Sequence, residues 1–76
     1  MDDGIPPYKF LQTFIGKRIK VELKDSDCYE GELTDLEISK HNGVGNILLR
    51  YVKRSGHKEE SEWGLLRGNN ILFIYL

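Results

Sequence analysis

Arg18-Ile19-Lys20-Val21-Glu22-Leu23-Lys24-Asp25-Ser26-Asp27-Cys28-Tyr29-Glu30-Gly31-Glu32-Leu33 carries the architecture of this chain. Ile19, Val21 and Leu23 alternate strictly with charged residues, the period of a half-buried strand. Asp25, Ser26 and Asp27 are turn formers. A second alternating run from Cys28 to Leu36 holds Tyr29, Gly31 and Leu33 in one phase, and a glycine inside a strand marks a bend or bulge. Two such runs joined by a tight turn predict a β-hairpin.

Working outward, Phe10, Leu11, Phe14 and Ile15 fall at helical spacing, with Gly16 as a stop, so a two-turn helix is expected before the hairpin. After it, residues 37–45 read as a polar loop holding Lys40, His41, Asn42 and two glycines. Asn46 to Val52 is an apolar strand, and Lys53 to Glu62 is a charge run of the kind that forms a solvated loop. Trp63 to Arg67 and Asn70 to Leu76 read as two further strands parted by Gly68 and Asn69. The sum is mainly β, a short N-terminal helix followed by a strongly bent five-stranded antiparallel small barrel. Residues 1–7 are expected as a leader and 8–76 as a single domain.

With 76 residues, the chain is too short for a two-domain enzyme or a doubly wound nucleotide-binding sheet. A lone core of this size supplies only about 3 to 5 kcal/mol, and disulfides, metals or oligomerisation commonly add support. One cysteine excludes an internal disulfide, and Cys28 with His41 and His57 is too few for a four-ligand zinc site. Oligomerisation is the remaining support, and no cofactor or metal is expected. Ile71 to Leu76, apolar on both faces, would be a bare edge unless another subunit paired with it.

Eleven basic against twelve acidic residues give a net charge of −1, which argues against gripping duplex phosphates by bulk charge. No stretch reaches the roughly 18 apolar residues of a membrane span. The start, Met1-Asp2-Asp3-Gly4, is acidic where a secretory signal is basic. A reducing intracellular location, nucleus or cytoplasm, is the expectation. Asp25, Asp27, Glu30 and Glu32 crowd one hairpin without a pocket or nucleophile, so catalysis is not expected.

Leu23-Lys24-Asp25-Ser26-Asp27-Cys28-Tyr29-Glu30-Gly31-Glu32-Leu33 resembles the first half of the first Sm motif. Leu65-Leu66-Arg67-Gly68-Asn69-Asn70-Ile71 resembles the second: an apolar pair, Arg-Gly, a small polar residue, Asn and an apolar residue. The resemblance runs from about Tyr8 to Leu76 and is to the Sm and Sm-like (LSm) family, of eukaryotic type. It implies a bent five-strand barrel in rings, usually of seven subunits, with the fourth strand of one pairing with the fifth of the next. It also implies single-stranded, uridine-rich RNA near the pore as partner, in splicing or mRNA-turnover particles.

Carried onto this sequence, the resemblance puts Arg67, Gly68, Asn69 and Asn46 at the RNA, with His41 or Asn42 as stacking candidates. Trp63, Leu65, Leu66, Ile71, Phe73, Ile74 and Tyr75 fall at the subunit interface. The first motif departs from the family after Leu36. Aligned without a gap, Glu37 stands at the acid, Ser39 at the stacking position, Lys40 at the apolar one and His41 at the Asn. With about five residues inserted, Gly45-Asn46 closes the motif and Ile47-Leu48-Leu49 begins the third strand. The second alignment is preferred, because the first buries Gly43 and Gly45 in a strand. An adaptor that uses the same edge strands for protein binding, without reading RNA, is the alternative function.

Overall fold

The structure is a computed structural model that describes residues 6–39 and 43–76. Helix α1 (Pro7–Gln12) leads into β1 (Arg18–Leu23), β2 (Cys28–Ile38), β3 (Val44–Arg54), β4 (Glu60–Leu66), a 3-10 turn (Gly68–Asn70) and β5 (Ile71–Tyr75). The strands form one antiparallel sheet in the order β4-β3-β2-β1-β5.

The helix comes earlier than the spacing of Phe10 to Ile15 suggests. Pro7 opens it, since proline's fixed φ suits the first helical position and its missing N–H would have no partner there. Thr13 caps the end, its hydroxyl donating to the Phe10 carbonyl at 2.7 Å. Leu11 is the helix's buried contribution, with Phe14 packed beside it, while Phe10 and Ile15 stay exposed. Gly16, at φ +92°, turns the chain so that its N–H donates to the Leu33 carbonyl at 2.8 Å. A positive φ of that size is cheap only for glycine.

The β1–β2 hairpin forms as the alternation predicts: Ile19, Val21 and Leu33 are buried in the core and the charged residues between them face outward. The Asp27 N–H donates to the Asp25 carboxylate at 3.0 Å, an Asx turn that pre-forms the reversal. Gly31 lies under β3, where a Cβ would sit 3.1 Å from the Arg50 carbonyl oxygen and 3.2 Å from Leu49 Cβ. This close approach lets β2 bend across β3. Register breaks at three places along the β2–β3 pair, and Tyr51 takes a φ of 55° in mid-strand, the mark of a bulge that re-aims the last residues of β3.

Two loops are shorter than expected. The strands run to Ile38 and from Val44, paired with each other, so residues 39–43 alone connect them. The charge run is not one loop: Lys53 and Arg54 finish β3 and Glu60 to Glu62 begin β4. Cross-strand pairing supplies the order that the missing periodicity hid, with Lys53 opposite Glu60. Arg54 Nη2 donates to both carboxylate oxygens of Asp27, at 2.9 and 3.0 Å, and this hydrogen bonding raises the guanidinium's pKa above its already high ordinary value. Arg67 and Asn70, expected in strands, instead flank and close the 3-10 turn.

Leu11, Ile19, Val21, Leu33, Ile47, Leu49, Val52 and Leu66 make the core. β4 and β5 are the two edges of the sheet.

Candidate nucleic-acid interface

The site forms where the start of β3 meets the turn between β4 and β5. Asn46 is half-buried, and its Oδ1 accepts the Gly68 N–H at 2.9 Å. Since Gly68 offers a donor, the amide oxygen must face it, which leaves the Asn46 NH₂ group directed away as a donor. Gly68 has no room for a side chain: a Cβ would lie 2.7 Å from the carbonyl carbon and oxygen of Gly45. Gly45 in turn sits with its would-be Cβ 3.1 Å from the Glu37 carbonyl oxygen. The two motif segments therefore touch main chain to main chain. Gly45 does lie in a strand, contrary to expectation, because β2 leaves space only for a hydrogen atom there.

Around this contact opens a cleft of about 390 Å³, with Ser39, Val44, Gly45 and Asn46 on one side and Arg67, Gly68 and Asn69 on the other. The Asn70 N–H donates to the Arg67 carbonyl at 2.9 Å, and the Asn70 carbonyl accepts the Lys24 N–H at 2.8 Å. The turn is thus pinned to the end of β1. Arg67 and Asn69 are exposed at the mouth, and among the described residues Arg67 makes no ion pair. A guanidinium in that position can bond a phosphate or base edge and lie flat on a ring.

Of the residues singled out in the sequence, Arg67, Gly68, Asn69 and Asn46 come together here. The Gly68 N–H is spent on Asn46, so this glycine's contribution is spacing. His41 and Asn42 lie outside the described residues. Val44 is an addition: it offers an apolar wall two residues before Asn46, a position visible only once Asn46 is fixed as the end of the motif.

The residues assigned to the subunit interface divide in two. Leu66 is buried in the chain's own core, and Ile71 and Ile74 pack against that core as well. Ile71 and Ile74, three residues apart, both face inward because the β1–β5 register slips between Glu22 and Leu23 and breaks the alternation of the edge strand. Trp63 (48% exposed), Leu65 (65%), Phe73 (55%) and Tyr75 (45%) remain outside, on the two unpaired edges. The Phe73 and Tyr75 rings touch, with centroids 4.7 Å apart. The Tyr75 hydroxyl donates to Glu22 at 3.0 Å, and this bond, with the carboxylate's charge, raises the tyrosine's pKa above its ordinary value.

Among known proteins, the U6 snRNA-associated Sm-like protein LSm6 of Lodderomyces elongisporus is 36% identical over 95% of this chain and 88% of its own length. An SmAP (LSm) protein from Methanococcus vannielii superposes with a TM-score of 0.81 at 28% identity, covering all of both chains. A heptameric archaeal Sm protein gives 0.69 at 32% identity, over 88% of this chain and 94% of its own. Residues 9–76 match the family model described as the LSM domain, and with these likenesses in sequence and fold the chain belongs to the LSM domain family.

Proposed function

We propose that the chain is a subunit of an Sm-like ring that binds single-stranded, uridine-rich RNA, as part of an intracellular RNA-processing particle of the nucleus or cytoplasm. It is not an enzyme. The observation that supports this best is the cleft at Asn46 and Gly68, where a fixed amide, an apolar wall and a guanidinium converge. A uracil in the cleft would lie against Val44, with the Arg67 guanidinium over or beside it. The Asn46 NH₂ group would donate to a uracil carbonyl. Cytosine presents an amino donor where uracil presents its O4 acceptor, so the same amide disfavours it. Asn69, which lines the same cleft, would face the other edge.

Several copies of Arg67 around one pore answer the charge problem, since each near-neutral chain contributes one cation to a shared field. The similarity to a U6 snRNA-associated protein and to a heptameric Sm protein supports both halves of the reading. Titrating the assembled protein with labelled oligo-uridine and oligo-cytidine tests it: tighter uridine binding is expected. A ring that binds the two equally would favour the adaptor function.

A further inference from the structure

Residues 6–21 contain Lys9, Lys17, Arg18 and Lys20 and no acidic residue, although the whole chain carries a net charge of −1. Two of these cations are engaged. Arg18 Nε pairs with Glu30 at 3.3 Å, and the Lys20 ammonium lies over the Tyr75 ring, 5.5 Å from its centroid. Lys9 and Lys17 are exposed and make no ion pair among the described residues.

An apolar surface that the fold leaves uncovered accompanies these two lysines. Phe10 is 49% exposed and Ile15 44%, and the Phe10 and Phe14 rings touch with centroids 5.6 Å apart. Leu11 is the residue that α1 spends on the core, so at 3.6 residues per turn Lys9 points to the opposite side and Phe10 lies on one flank. The main chain beyond the helix is fixed. Lys17 N–H donates to the Phe14 carbonyl at 2.9 Å, Gly16 N–H donates to the Leu33 carbonyl at 2.8 Å, and the Lys17 carbonyl accepts Leu33 N–H at 2.9 Å. The exposed side chains are therefore presented outward by a pinned backbone. Since α1 packs on β2, the middle strand of the sheet, this face is two strands from either edge. It shares no residue with the cleft at Asn46 and Gly68.

We infer that this face docks a partner protein through a short apolar segment flanked by aspartate or glutamate. Charge complementarity selects the acids, since Lys9 and Lys17 bring unpaired ammonium groups to the apolar surface and a basic segment would meet like charge. Exposed aromatic and aliphatic side chains rimmed by charge have the anatomy of a protein interface. The geometry also favours a peptide over single-stranded nucleic acid, whose bases need open ring faces to stack on. The two phenyl planes are inclined by 59°, and Lys17 Nζ covers the Phe14 ring, 5.6 Å from its centroid. Ile15 adds an aliphatic surface where a base would want a flat one. Neither a ring nor RNA is required for this contact, so it stands or falls apart from the function proposed above.

Fluorescence anisotropy on the full chain tests it, with a labelled synthetic peptide of Leu, Phe, Asp and Glu and a counterpart carrying Lys in place of the acids. The acidic peptide should bind about tenfold or more tighter than the lysine peptide, and the difference should shrink as salt rises. Phe10→Ala combined with Ile15→Ala should weaken the acidic peptide about tenfold and leave oligo-uridine affinity unchanged. Lys9→Glu combined with Lys17→Glu should reverse the preference between the two peptides. Circular dichroism on each variant separates binding from folding. Equal binding of the two peptides, binding of neither, or an acidic peptide indifferent to Lys9 and Lys17 overturns the inference. So does a lysine variant that loses oligo-uridine while keeping the peptide, which would make this face a nucleic-acid surface.

Discussion

The Gly68 N–H donates to the side-chain oxygen of Asn46 at 2.9 Å, across 22 residues of sequence, and the bond is part-buried. It joins the two segments that line the cleft. Replacing Asn46 with Ala should cost about 1 kcal/mol in urea unfolding, because a part-buried N–H loses its partner. Gly68→Ala should cost a similar amount or more, since its Cβ meets backbone at 2.7 Å and backbone cannot rotate away. A loss below about 0.5 kcal/mol in both would mean that the segments are not held together in this way.

Arg67→Ala should behave oppositely. The side chain is exposed and makes no ion pair among the described residues, so stability should stay within about 0.5 kcal/mol of the parent. Oligo-uridine affinity should drop by about 1 to 3 kcal/mol, the worth of one stacking or bidentate interaction with a base. Fluorescence anisotropy beside thermal denaturation separates the two, and unchanged affinity would remove Arg67 from the interface.

Gly31→Val probes the bend. The added carbons would press on the Arg50 carbonyl and Leu49, both within 3.2 Å of the first of them, so a loss of about 1 to 3 kcal/mol is expected from overpacking. Since the bend aims the two ends of the sheet, assembly measured by intact mass should weaken with it. A stable Gly31→Val chain that still forms the parent assembly would show that the close crossing is dispensable.

Alkaline pH tests Tyr75. Its pKa in the folded chain is raised by the hydrogen bond to Glu22 and by that residue's charge. The folded state then holds the phenolic proton more tightly than the unfolded state does. The stabilisation is present in full below the ordinary tyrosine value of 10.0 and is lost as pH rises through the folded value. Tyr75→Phe should flatten this part of the curve, measured by denaturation from about pH 9 upward. An unchanged slope would rule out the Glu22 bond as its source.

The hairpin was legible because Ile19, Val21 and Leu33 obey a period that only a half-buried strand satisfies. The second motif was legible because Arg67-Gly68-Asn69-Asn70 has few other uses at that spacing. The features that stayed hidden depend on pairs. Lys53 and Glu60 look like members of a solvated charge run until they stand opposite each other, and Gly45 looks misplaced in a strand until Gly68 is found pressed against it. Val44 had no signal of its own, since a valine before a glycine is ordinary anywhere. The division among the interface residues stayed hidden for a related reason: an edge strand has two faces, and composition does not say that Leu66 is the one turned inward.

The contact between Gly45 and Gly68 separates shape from chemistry. The two segments meet through peptide groups, and the side-chain hydrogen bond from Asn46 to the Gly68 N–H joins them across the cleft. Arg67 and Asn69, exposed at the mouth, should be exchangeable without disturbing the distance between the walls, whereas Val44 packs against the core. What the cleft admits should therefore be adjustable at its mouth while the walls, held main chain to main chain, keep their spacing.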